Sequence, residues 1–124
     1  MKRRVYLDHL AGTPLAAEVR EAMRPFLEER FGSASSLHSH GLAAREAIGT
    51  AREQCAGLIN GTPEEILFTS SGTEANNLAV KGVALSQRER GNHIVLSNIE
   101  HPSIDQSVVW LEDNGFTATR VPVD

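Results

Sequence analysis

The run Ser71-Gly72-Thr73-Glu74 follows an apolar stretch, residues 66–68, and opens a segment of helical periodicity. A hydroxyl residue three positions before a Glu is the capping-box pattern, in which Ser71 caps the helix and Glu74 reaches back; this reading needs no ligand. The same turn can also hold an anion, because a strand feeding a helix through glycine leaves backbone N–H groups pointing along the helix axis. Gly72 would let an oxygen-rich ligand approach the backbone closely, and Thr73 adds a hydroxyl donor. Hydrogen bonds to a charged group contribute about 1.5–3 kcal/mol each, against about 0.3–1 kcal/mol for the helix dipole. The donors of Gly72 and Thr73 would therefore anchor a phosphate, and the dipole would assist. Neither G-x-x-x-x-G-K-[ST] nor G-x-G-x-x-G occurs, which points away from a typical nucleoside triphosphate or dinucleotide.

A second group with chemical capacity is His101, in "NIEHPSI", 98–104. Pro102 biases His101 toward extended backbone and is well placed to begin a helix. An imidazole there serves as acid, base or aromatic platform, or simply as a cap or a solvated side chain. If the strands ending at Ser70 and Asn98 are parallel, both loops open on one sheet edge, where ligands of open α/β sheets bind. A phosphate site and an imidazole would then share a crevice.

Other reactive residues read more plainly. Cys55 falls on the apolar stripe of a helix, which suits core packing, and one cysteine allows no internal disulfide; it fits a reducing compartment. His38 and His40 form H-x-H without further clustered ligands and read as loop residues, and no metal is expected. His9 and His93 give no stronger signal. Asn76 and Asn77 lie in the first turns of the helix after Gly72 and read as local hydrogen-bonding residues. Glu100 either orients its loop or is solvated. Of the two lysines, Lys2 lies at the start, and Lys81 is eight residues past Thr73, about 12 Å along the same helix.

These groups must be positioned by the elements around them. The pattern predicts a short strand at 4–8, a turn at 10–14, and a helix over 15–31 with Val19, Met23 and Leu27 on one face and a kink or break near Arg24, before Pro25. A polar loop follows at 32–41. A second helix is expected from about Leu42 to Ile59, with Ala44, Ile48, Ala51, Cys55 and Leu58 on a stripe and Gly61 as its stop. Then come a strand at 65–70, a helix from Thr73 to about Glu89, a strand at 93–98, a helix over 103–114 with Ile104, Val108 and Leu111 on one side and Gly115 closing it, and a strand at 116–123. The alternation in the second half favours a parallel sheet with right-handed crossovers. That last strand would present an edge open to association with other chains.

The totals are those of an ordinary globular domain: 124 residues and a net charge of −4. "MKRR" at the start reads as a solvated end. No basic face suggests nucleic-acid binding, no apolar run approaches a membrane span, and no secretory signal follows the basic start.

In order, "YLDHLAGTP", "GSASSLHSHG", "ILFTSSGTEANNLAVKG" and "NIEHPSI" resemble the amino-terminal part of cysteine desulfurases of the NifS/IscS type, in the class V aminotransferase group. The resemblance implies an α/β fold: part of the large domain of fold type I transferases, mainly parallel sheet with flanking helices, preceded by an N-terminal helical segment. It places residues 1–60 in an N-terminal strand and helices and 61–124 at the start of the cofactor-binding domain. The cofactor would be pyridoxal 5'-phosphate, with Gly72 and Thr73 on its phosphate and His101 stacked on its ring and assisting proton transfer. "LAGTP" would border the substrate pocket. The implied reaction takes L-cysteine to alanine and passes sulfur as a persulfide to an acceptor or scaffold protein, as in iron–sulfur cluster assembly, in a cytoplasmic homodimer. Gly12 replaces a Thr of the family's "AATTP", and Ser33-Ala34 replaces its Asn-Pro. Neither lysine is placed to form the cofactor Schiff base, so the segment alone is expected to be inactive. The alternatives are another class V enzyme, such as a selenocysteine lyase, or a non-catalytic phosphate-binding or complementing module.

Overall fold

A computed structural model describes residues 4–124, so Met1, Lys2 and Arg3 of the basic start lie outside the described residues. The chain divides into two compact units, 1–67 and 68–124.

The first unit is helical. Helix α1, Ala17–Glu28, carries Val19, Met23 and Leu27 on its apolar stripe, yet all three remain exposed. Of the kink or break expected near Arg24, the break does not occur: the helix runs through Pro25. Pro25 sits in the last turn, where its missing N–H removes one bond only, and its carbonyl accepts from both Glu29 and Arg30 at 3.0 and 2.7 Å. Helix α2, Ser39–Ile59, starts earlier than the pattern predicted because His38 caps it: its Nδ1 accepts from the Gly41 amide at 3.4 Å. The stop also differs. Asn60 takes the left-handed conformation, with φ of 56°, and the Gly61 amide closes onto the Ala56 carbonyl at 3.0 Å. Asn tolerates that region through its short polar side chain, so glycine is not needed there. A short 3-10 turn, Pro63–Glu65, follows.

Two expected strands do not form. Residues 4–8 and 65–70 have no ladder partner among the described residues, and Glu65 belongs to the 3-10 turn. Ile66 does have extended backbone angles. Extended angles alone do not make a strand, since the ladder's hydrogen bonds come from a neighbour. The turn around Ala11 is present, closed by its amide on the Asp8 carbonyl at 3.2 Å.

The second unit is α/β. It runs α3 (Gly72–Ser86), β1 (His93–Ser97), α4 (Pro102–Asp113) and β2 (Thr117–Val121). The strands pair in parallel, with His93 opposite Thr117 and Ser97 opposite Val121. A parallel pair requires a crossover, here α4. Val108 and Leu111 on α4 are fully buried, Phe116 before β2 is nearly so, and Ile104 is half-buried. Asn114 caps α4, and Gly115, with φ of 89°, turns the chain into β2 in a region that disfavours a side chain. The Arg88 guanidinium fastens this turn to the end of α3 by donating to the Asn114 carbonyl at 3.0 Å.

Candidate functional site

The amino end of α3 divides its donors between capping and free space. The Ser71 hydroxyl accepts from the Glu74 amide at 3.2 Å. The Glu74 carboxylate accepts from the amide and hydroxyl of Ser70, at 2.7 and 2.6 Å, one residue further back than the capping box predicts. These two bonds from Ser70, the hydroxyl first, hold the Glu74 carboxyl below its ordinary range. Neither the Gly72 nor the Thr73 amide donates to another described residue, and a Cβ placed on Gly72 would meet nothing within 4 Å. The capping and the anion-binding readings are therefore compatible, because they use different N–H groups. Two open amides beside a threonine hydroxyl fit a phosphate group.

His101 caps α4. Its Nδ1 accepts from the Ser103 amide at 3.1 Å and lies 2.8 Å from the Ser103 hydroxyl. The same hydroxyl lies 2.8 Å from the Asn76 amide nitrogen on α3. The first turns of α3 and α4 are thus joined side by side, with His101 exposed at the junction. The route differs from the expected one. A shared sheet edge is expected to align the two loops, but 65–70 is not in the sheet; the Asn76–Ser103 bond joins the two helices instead.

Ser103 was missed by sequence reasoning. It is only 8% exposed, and its role depends on Asn76, twenty-seven residues away along the chain. Asn76 reads from sequence as a local group and is not one. Asn77 is local, donating back to the Thr73 carbonyl at 2.9 Å. Glu100 accepts from the Ser97 hydroxyl at 2.7 Å, which ties the end of β1 to the loop carrying His101.

The remaining reactive residues have structural duties. Lys81 places its ammonium 4.9 Å from the Trp110 ring centre, between α3 and α4 and away from the amino end of α3. His93 spans Thr117 and Thr119 with its two ring nitrogens at 2.7 and 3.0 Å. His40 stacks on Phe31 with ring centres 5.4 Å apart, His9 meets Tyr6 edge-on, and Cys55 is half-buried on α2. No group of three His, Cys, Asp or Glu residues that could hold a metal occurs among the described residues, and no described helix is long and apolar enough to cross a membrane.

The unit 68–124 is thus a parallel β-α-β arrangement preceded by a helix with an open amide end, with a histidine capping the next helix. The chain belongs to the aminotransferase class-V family, whose model matches residues 5–124. It is similar over its whole length to the cysteine desulfurase IscS of Dictyoglomus turgidum, at 51% identity, covering 32% of that protein. It is 44% identical over 97% of its length to the cysteine desulfurase IscS of Methanosarcina thermophila, covering 30% of it. Among solved structures, a NifS-like protein aligns with a TM-score of 0.89 at 36% identity, over 98% of this chain and 34% of that one. SspA in complex with cysteine aligns at 0.83 and 38%, over 94% and 33%. The chain therefore spans about a third of the length of the curated relatives it matches.

Proposed function

We propose that this chain forms the phosphate-binding and ring-facing part of a pyridoxal-phosphate-dependent cysteine desulfurase. The observation that carries the reading is the junction of α3 and α4, where the open amides of Gly72 and Thr73 and the imidazole of His101 belong to adjoining helix starts joined by the Asn76–Ser103 bond. The relatives named cysteine desulfurase and the neighbour described with cysteine support the choice of substrate.

In this reading the amides of Gly72 and Thr73 and the Thr73 hydroxyl bind the cofactor phosphate. Bound pyridoxal phosphate supplies an electron sink for chemistry at the substrate's α-carbon. His101 would face the cofactor ring and would hold or move a proton at Nε2, the nitrogen that bonds to no described residue. The cofactor-binding domain starts near residue 61, after the amino-terminal helices. Sulfur leaves cysteine for an acceptor protein as a persulfide and alanine remains, in a cytoplasmic homodimer. Lys81, engaged with Trp110, does not hold the cofactor.

The test is the protein at its full natural length, supplied with L-cysteine, pyridoxal phosphate and a thiol reductant. Alanine and sulfide should form in equal amounts, and His101→Ala should lower the rate by about 10²–10⁴-fold. No alanine from the wild type would overturn the assignment. The 124 residues alone should give no turnover, and alanine from them would refute the reading of Lys81.

A further inference from the structure

We propose that Ser103 and Asn76 are positioning residues for His101: they hold Nδ1 as a hydrogen-bond acceptor and so keep the neutral ring's proton on Nε2. A backbone N–H can only donate, so the Ser103 amide, 3.1 Å from Nδ1, requires a lone pair on that nitrogen. The Ser103 hydroxyl, 2.8 Å from the same Nδ1, must then supply the proton of that contact. Having spent its one proton, Ser103 Oγ faces Asn76 as an acceptor, and the Asn76 amide nitrogen at 2.8 Å donates to it. The bonds run in one direction, from Asn76 through Ser103 to His101.

This chain is held in place from behind. Ser103 is buried, and its carbonyl accepts from the hydroxyl of Ser107, itself 1% exposed, at 2.7 Å. A hydroxyl taken from water and left without partners is costly, so both bonds of Ser103 Oγ restrict its rotation. Nε2 makes no hydrogen bond to a described residue, and His101 is exposed. Any proton that His101 exchanges with a bound molecule therefore passes through Nε2. The Asn76 bond also makes the orientation of the imidazole depend on α3, the helix that presents Gly72 and Thr73.

The importance of this orientation for catalysis rests on the cofactor reading above; the tautomer itself does not, and is measured separately. Nitrogen-15 spectra of the imidazoles, in the natural-length protein without cofactor and at alkaline pH, report each ring nitrogen. We expect His101 Nδ1 at a pyridine-like position and Nε2 at a pyrrole-like one. Ser103→Ala keeps the backbone donor but removes the hydroxyl, and should move Nδ1 further toward the unbonded pyridine position. Ser103→Thr should restore it. Asn76→Ala leaves the cap intact and should give a smaller shift in the same sense, which keeps the proposal testable if Ser103→Ala does not fold. A pyrrole-like Nδ1 in the wild type, or an unchanged Nδ1 in the alanine variants, overturns it. A correct tautomer in a protein that fails to bind pyridoxal phosphate would sink the cofactor reading alone.

Discussion

The two units stabilise themselves differently. In unit 68–124, Val108 and Leu111 are fully buried, Phe116 is nearly so, and polar bonds cross between elements: Asn76 to Ser103, Arg88 to the Asn114 carbonyl, Arg120 to Asp105 and Glu112. In unit 1–67, Gly41 and Ala56 are the buried residues among those described, and Val19, Met23 and Phe26 are each more than 40% exposed. The unit that carries the candidate site fixes it with its own contacts. The helices of the other unit keep apolar faces uncovered by their own unit.

Truncating one buried and one exposed leucine separates the two units most strongly. Leu111→Ala should cost about 2–5 kcal/mol, because it opens a cavity where no surface relaxes freely. Leu27→Ala, at a position 76% exposed, should change stability by less than about 0.5 kcal/mol. Urea unfolding of the natural-length protein measures both, and equal costs would erase the distinction between the units.

The next effect tests whether the self-contained unit is also the binding unit. Thr73→Ala should weaken pyridoxal phosphate by about 10- to 150-fold, the equivalent of one hydrogen bond to a charged group. Absorbance titration reads it, and unchanged affinity would remove Thr73 from the site. Ser71→Ala takes away the α3 cap and should cost about 1 kcal/mol, read as a lower urea midpoint.

The smallest effect is that of Glu74, which is exposed. Its carboxyl is held below the ordinary range, so its stabilising bonds are fully present above the unfolded-state value and are lost as pH falls through the lower folded-state value. Melting curves of the wild type and Glu74→Gln should differ at neutral pH and converge in acid. A difference that grew in acid would contradict the bonds to Ser70.

Much of the second unit was legible because its signals are local. The spacing of Ile104, Val108 and Leu111 names the inward face of α4, and Ser71 with Glu74 announces the start of α3. Signals that needed a distant partner misled. Residues 4–8 and 65–70 have strand composition, but a strand exists only through its neighbour, and none of the described residues supplies one. Asn76 reads as a local group because nothing nearby in sequence announces Ser103. His38 reads as a loop residue, whereas its ring nitrogen caps α2. Gly72, Thr73 and His101 are proposed for the site from motif and position, whereas the Asn76–Ser103 bond that joins their helices has no sequence signal.

The account depends most on one spatial claim, that the amide end of α3 and the imidazole capping α4 meet a single bound molecule. Nuclear magnetic resonance titration of the natural-length protein with pyridoxal phosphate, following the Gly72 and Thr73 amides and the His101 ring together, tests it directly. The account predicts that all three respond with one dissociation constant, and that pyridoxal without its phosphate leaves the two amides largely unmoved. Amides and imidazole responding with different affinities, or amides indifferent to the phosphate, would contradict it.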